Sequence, residues 1–219
     1  EEHRPLCGGR EVIMVKYPLA ETFVSVQGEG VHTGRKAYFV RLFGCNVRCP
    51  WCDSKSAWNG SPVSRTGADE IALAASECSP EFAVITGGEP CIHNLLPLLE
   101  KFAEAKVAVH LETSGTLEIR ERGDARFSWV TVSPKLFCPP LDSSLRRADE
   151  LKFIVSDLSE LESYARFADS APNAKSVWLH PEWGGRKDRE LLDGLSAFVV
   201  FRGGRYRLGW QMHKCYNVR

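Results

Sequence analysis

Apolar and polar positions along the chain alternate between two textures. Short β-branched or aromatic runs recur at Ala37–Phe43, Phe82–Thr86, Val107–Glu112, Trp129–Ser133, Leu151–Ser156, Ser176–His180 and Arg205–Gln211. Between most of them lie stretches with apolar residues at helical spacing, at Ala68–Cys78, Leu95–Ala105, Leu158–Ala168 and Asp188–Phe198. Leu95, Leu98, Leu99 and Phe102 fall on one face of such a helix. Strands that alternate with helices predict a parallel sheet covered by helices, an α/β fold. Pro134–Pro140 and Pro172 read as loops rather than linkers, and no internal repeat is visible, so residues 1–219 are expected to form a single domain.

Parallel strands joined by helices point the same way, which gathers their C-terminal ends on one rim, where ligands bind in such sheets. The sequences that follow the apolar runs are Gly44-Cys45, Gly87-Gly88-Glu89-Pro90, Thr113-Ser114-Gly115, Pro134-Lys135 and His180-Pro181. The candidate chemistry therefore lands on that rim.

Lys plus Arg and Asp plus Glu both number 28 and are spread along the chain. That balance lacks the basic footprint of a nucleic-acid binder, so a small or neutral partner is expected. No stretch approaches the ~20 apolar residues that span a bilayer, and Glu1 to Tyr17 lacks an export pattern. A cytoplasmic protein without a membrane partner is expected. A domain of this size buries roughly 70% of its unfolded surface without staples, so the 8 cysteines read as reduced thiols or metal ligands.

Cys45, Cys49 and Cys52 form C-x3-C-x2-C in a loop after the first parallel strand, with Gly44, Asn46 and Pro50 favouring a tight turn. Random placement would give this spacing in roughly 1% of such chains, so coincidence is a poor explanation. Structural zinc closes with four ligands, and electron-transfer clusters take four cysteines. Three thiolates leave one coordination position open. Two readings stand at this point: an open iron–sulfur cluster, or a zinc site completed by Cys78, Cys91 or a histidine. The remaining cysteines, including Cys7, Cys138 and Cys215, read as packing or surface thiols.

The loop Cys45-Asn46-Val47-Arg48-Cys49-Pro50-Trp51-Cys52 resembles that of the radical SAM superfamily, and Gly87-Gly88-Glu89 matches its second signature. More narrowly, the chain resembles the 7-carboxy-7-deazaguanine synthase family of queuosine and 7-deazapurine biosynthesis. The matching motifs are Glu21-Thr22-Phe23, Ser25-Val26-Gln27-Gly28-Glu29-Gly30, Phe39-Val40-Arg41-Leu42, Cys52-Asp53-Ser54, Thr86-Gly87-Gly88-Glu89-Pro90-Cys91, Glu112-Thr113-Ser114-Gly115, Ser133-Pro134-Lys135 and Gln211-Met212-His213-Lys214. The resemblance implies an abbreviated, partial (β/α) barrel that pairs as a homodimer. It implies a lyase that converts 6-carboxy-5,6,7,8-tetrahydropterin to 7-carboxy-7-deazaguanine with loss of ammonia, using a one-electron donor of the flavodoxin or ferredoxin type.

On that resemblance Cys45, Cys49 and Cys52 hold a 4Fe-4S cluster, and S-adenosylmethionine (SAM) contacts Trp51, Cys52, Asp53, Gly88, Glu89, Ser133, Pro134 and Lys135. Glu112 and Ser114 lie on the same rim and are weaker candidates for SAM. Val26, Gln27, Gly28, Glu29, Arg41, Thr86 and His213 face the substrate, and Ser54, where threonine is common, ligates Mg²⁺. At His180 relatives often carry glutamine, so no contact is carried over there.

Each residue also has a plainer reading: Trp51 as a core aromatic, Gln27–Gly30 as a solvated hairpin turn, Ser54 as a helix cap, Lys135 as a solvated loop lysine, His213 as a structural histidine. Arg41, inside a strand, needs an anion, either the substrate carboxylate or an ordinary Asp or Glu. Two functional rivals remain: another radical SAM activity, such as activation of a glycyl-radical enzyme, and a non-enzymatic metal-binding module.

Overall fold

The computed structural model describes residues 15–218. Cys7 and most of the Glu1 to Tyr17 stretch lie outside the described residues. In chain order the elements are β1 (Lys16–Val26), β2 (Lys36–Leu42), β3 (Ser64–Gly67), α1 (Ala68–Glu77), β4 (Phe82–Gly87), α2 (Leu96–Glu104), β5 (Val109–Thr113) and β6 (Trp129–Val132). Then follow α3 (Asp142–Arg147), β7 (Glu150–Val155), α4 (Leu161–Asp169), β8 (Ser176–Pro181), α5 (Arg189–Arg202), β9 (Tyr206–Leu208) and the short α6 (Met212–Cys215).

The strands make one nine-stranded open sheet in the order β3-β1-β2-β4-β5-β6-β7-β8-β9. From β2 to β9 every neighbouring pair is parallel, as expected. The β1 strand departs from that expectation, pairing antiparallel with both β2 and β3. The result is a partial barrel: a parallel α/β arc with an antiparallel flap on one side.

Alternation along each strand sorts its side chains between two faces. The outer face carries Val40, Leu42, Ile85, Leu111, Val132, Leu151, Phe153 and Val177, fully buried beneath Leu98, Leu99, Phe102, Leu145, Tyr164 and Leu195 of the covering helices. Each such side chain contributes roughly 1.5–3 kcal/mol by leaving water. The inner face is largely polar. At its lower end His32 and His110 rings lie 4.5 Å apart, and His110 stacks on Phe82 at 3.9 Å. Above them Glu150, buried in the sheet, accepts from the Val31 N–H at 2.8 Å and the Trp178 indole at 2.7 Å. The segment linking β1 to β2 thus folds back inside the arc and closes its floor.

Candidate active site

The cysteine loop begins where β2 ends. The Gly44 N–H donates to Ala57 O at 2.7 Å and the Cys52 N–H to Cys49 O at 3.1 Å, which curls the loop, and its three cysteines all line one cleft. All three are free and half-buried. Each meets a positive group: Cys45 Sγ accepts the Val47 and Arg48 N–H groups at 3.4 and 3.5 Å, and Cys52 Sγ accepts the Trp58 indole N–H at 3.4 Å. Burial raises the Cys49 thiol pKa, and the Lys135 ammonium nearby opposes that shift.

The end of β4 is laced to this loop. Gly88 N–H donates to Leu42 O at 3.1 Å and Glu89 N–H to Gly44 O at 2.8 Å. A Cβ on Gly88 would lie 2.2 Å from Gly44 O and 2.7 Å from Cys45 Cβ, so only glycine permits this approach.

A cleft of about 470 Å³ opens over the rim. Cys45, Cys49, Trp51, Cys52, Asp53 and Ser54 line one side, and Gly88, Ser133 and Lys135 line its base. Val26, Gln27, Gly28, Glu29, Arg41, Thr86 and His213 form the facing wall. On that wall Gln27 Nε2 donates to Glu112 Oε1 at 3.0 Å, Thr86 Oγ1 donates to Glu112 Oε2 at 3.1 Å, and the Glu29 N–H donates to Gln27 Oε1 at 3.1 Å. The Glu29 carboxylate is paired with the Lys152 ammonium, the two side chains 10% and 11% exposed. Burial works to raise the Glu29 pKa, but Lys152, with His180 and His213 beyond it, outweighs burial and holds the carboxyl well below the usual range. Lys152 is held above its ordinary value: burial opposes this, and Glu29 and Glu112 prevail. The wall thus presents a fixed carboxylate with its counter-ion already in place.

No protein-family model matches the chain. Whole-length relatives do. A 7-carboxy-7-deazaguanine synthase from Synechocystis sp. (strain ATCC 27184 / PCC 6803 / Kazusa) is 36% identical over 209 residues, covering 95% of this chain and 97% of its own. That of Escherichia coli (strain K12) is 38% identical over 232 residues, covering 93% and 100%. The chain belongs to the 7-carboxy-7-deazaguanine synthase family. In structure, QueE from Escherichia coli superposes with a TM-score of 0.76 at 31% identity, over 90% of this chain and 95% of that one. Membership makes the chain a radical SAM enzyme of queuosine biosynthesis.

Within that family site, two expected residues stand away from the cleft. Glu89 and Pro134 are buried and do not line it. The Glu89 carboxylate accepts from Thr113 Oγ1 at 2.6 Å, the Ser114 N–H at 2.7 Å, Ser114 Oγ at 2.5 Å and the Cys91 N–H at 3.0 Å. These bonds brace the next strand end against the cysteine loop. Ser114 is committed to that brace, and Glu112 to the facing wall.

Several plain readings also give way. Gln27 is buried and Glu29 is paired, so the loop is a hairpin connection but not a solvated one. Lys135 is sequestered, donating to Ser133 O at 2.6 Å and Ser133 Oγ at 2.8 Å. Ser54 precedes a one-turn helix yet makes no side-chain cap; its hydroxyl donates to Asp53 Oδ1 and accepts from Arg41 Nη1, both at 3.1 Å. Arg41 Nε is held by Glu21 at 2.8 Å, an ordinary protein carboxylate. His213 packs against the Gln27–Gly30 loop: a Cβ on Gly28 would fall 2.3 Å from its Nδ1.

Sequence reasoning passed over Lys152, Glu182 and Trp183 and gave Lys214 no role beyond its motif; all four line the cleft. Lys214 Nζ lies 3.0 Å from Asp53 Oδ2 and Gln211 Nε2 donates to the same oxygen at 3.1 Å, fastening the C-terminal segment to the cysteine loop. Burial works to raise the Asp53 pKa, and the Lys214 hydrogen bond and charge lower it on balance. Among the described residues no helix is long and apolar enough to cross a membrane.

Proposed function

We propose that this chain converts 6-carboxy-5,6,7,8-tetrahydropterin to 7-carboxy-7-deazaguanine with loss of ammonia, holding SAM and a 4Fe-4S cluster on one side of the cleft and the pterin on the other. The reading is carried by one observation: three half-buried thiols, each facing an N–H or ammonium, open onto the same cleft as the Glu29–Lys152 wall. The donor set fits a cluster, because N–H groups aimed at sulfur stabilise thiolate charge without consuming a coordination position. Among the described residues no three histidine, cysteine, aspartate or glutamate side chains are grouped tightly enough for a single ion.

Bound together, the cluster and SAM supply the hydrogen-abstracting radical chemistry. The chain's own residues hold and orient. Trp51 offers an aromatic surface for adenine, its ring edge-on to Phe137 at 5.6 Å. Gly88 admits the ligand close to the backbone. Ser133, whose Oγ accepts from Lys135, keeps its O–H to donate. The pterin edge carries an amino group and a ring N–H beside a carbonyl; Glu29 accepts from the first pair, and Gln27 and Thr86 fix the wall through Glu112. Arg41 uses Nε and Nη1 within the protein, and its guanidinium, lining the cleft, attracts the substrate carboxylate. With the reacting atoms positioned and water excluded, the protein needs no conventional acid–base pair.

Mg²⁺ fits Ser54 in donor type, since Ser54 and Asp53 offer hard oxygens and Mg²⁺ takes few protein ligands. The Arg41 guanidinium occupies the same hydroxyl, so the two cations compete for it. The cluster's electron comes from an external donor of the flavodoxin or ferredoxin type. A single-domain chain working as a cytoplasmic homodimer completes the proposal.

Iron and sulfide analysis of anaerobically reconstituted protein, with electron paramagnetic resonance (EPR) before and after SAM, tests the cofactor side. Equal iron and sulfide with a SAM-sensitive spectrum is expected; zinc, or a cluster indifferent to SAM, would refute it.

A further inference from the structure

We infer that Trp58, which does not line the cleft, tunes the cluster: its indole N–H holds Cys52 Sγ and makes reduction easier. The inference rests on the cluster assignment above. The Trp58 Nε1–Cys52 Sγ distance is 3.4 Å, within reach for a hydrogen bond to sulfur. Two backbone bonds fix the indole. Trp58 N–H closes the one-turn helix Lys55–Ala57 by donating to Lys55 O at 3.2 Å, and Ala57 O accepts the Gly44 N–H at 2.7 Å. The tryptophan therefore moves with the residue preceding Cys45.

Its ring face is also occupied. The Arg48 guanidinium sits 5.9 Å from the indole centroid, and its Nε donates to Cys45 O at 3.3 Å. Arg48 has φ 54°, in the left-handed region that non-glycine residues seldom adopt. A cation on the π face draws electron density from the ring, which strengthens the indole N–H as a donor. The three sulfurs are treated differently. Cys45 Sγ receives backbone N–H groups, which most substitutions leave in place, whereas the Cys52 donor is a side chain and is set by sequence. The reduced cluster carries one more negative charge, so N–H···S bonds stabilise it over the oxidised form and raise its potential.

The test is Trp58→Phe in the full chain, reconstituted anaerobically without SAM and followed by EPR-monitored redox titration. Phenylalanine keeps a ring beneath Arg48 and removes only the donor. We expect wild-type iron and sulfide content and an equilibrium constant for reduction lower by about three- to tenfold, the worth of one hydrogen bond; tenfold is ~59 mV for one electron. An unchanged midpoint at full iron content overturns the inference. If Trp58→Phe assembles no cluster, wild-type chain labelled with indole-¹⁵N tryptophan decides. A nitrogen coupling in pulsed EPR of the reduced cluster, retained in labelled Trp51→Phe, supports the bond, and its absence overturns it. Wild-type protein that binds no iron and sulfide sinks the cluster assignment itself.

Discussion

Replacing Lys152 by methionine removes the cation of the Glu29–Lys152 cleft wall while keeping a side chain of similar reach. Neither partner of the Glu29–Lys152 pair is more than 11% exposed, so bulk water screens neither charge. Lys152 also feels the carboxylates of Glu112 and Glu150. Without it, acidic groups face one another in a closed space. An exposed ion pair is worth about 0–1 kcal/mol, but breaking a buried one costs about 3–5 kcal/mol, because the survivor is left charged and dry. Urea unfolding of the apo chain should therefore show Lys152→Met destabilised by about 3–5 kcal/mol, with Lys152→Met/Glu29→Gln recovering much of the loss. The pH dependence has a definite sign. Glu29 is depressed from the ordinary value of 4.5, so its contribution is complete above that pH and is lost as the pH falls below it towards the folded-state value. That acid-side component should vanish in the double variant. A single-variant cost under about 1 kcal/mol, or a double variant no more stable than the single, would refute the argument.

Gly88→Ala drives a methyl into Gly44 O and Cys45 Cβ; we expect about 1–3 kcal/mol of destabilisation, read by urea unfolding, and a lower iron content after reconstitution. Arg41→Met should raise KM for the pterin by about 10–100-fold, the worth of one charged hydrogen bond, with little effect on SAM affinity measured by equilibrium dialysis. Phe102→Ala should cost about 3–5 kcal/mol through its cavity on the outer face, while iron per folded chain stays at the wild-type level.

The parallel part of the fold was legible because its strands bury one face under helices. Runs such as Phe82–Thr86 and Leu151–Ser156 announce themselves by apolar content alone. The β1 strand escaped: its sequence holds Pro18 and Glu21, and its register against β2 shifts between Leu19 and Glu21, which breaks the two-residue period. The β3 strand, Ser64–Gly67, is short and mostly polar, so it carries no strand signal. At the site, residues adjacent in sequence were readable as motifs, and nearly all of them do line one cleft. Lys152 was not, since a lysine alternating with apolar residues looks like a solvent-facing strand position until the sheet curls and turns that face inward. Nor does sequence reveal that Glu89 is spent on Thr113 and Ser114, some 25 residues on, because that depends on how two strand ends meet.

The most direct test is turnover. Reconstituted protein should be incubated with 6-carboxy-5,6,7,8-tetrahydropterin, SAM and a one-electron reductant under nitrogen, with product identified by mass and ammonia measured. We predict 7-carboxy-7-deazaguanine and ammonia in equal amounts, abolished when Cys45, Cys49 and Cys52 are all replaced by alanine. Undiminished turnover by that triple variant, or no product from a cluster-replete wild type, would contradict the account.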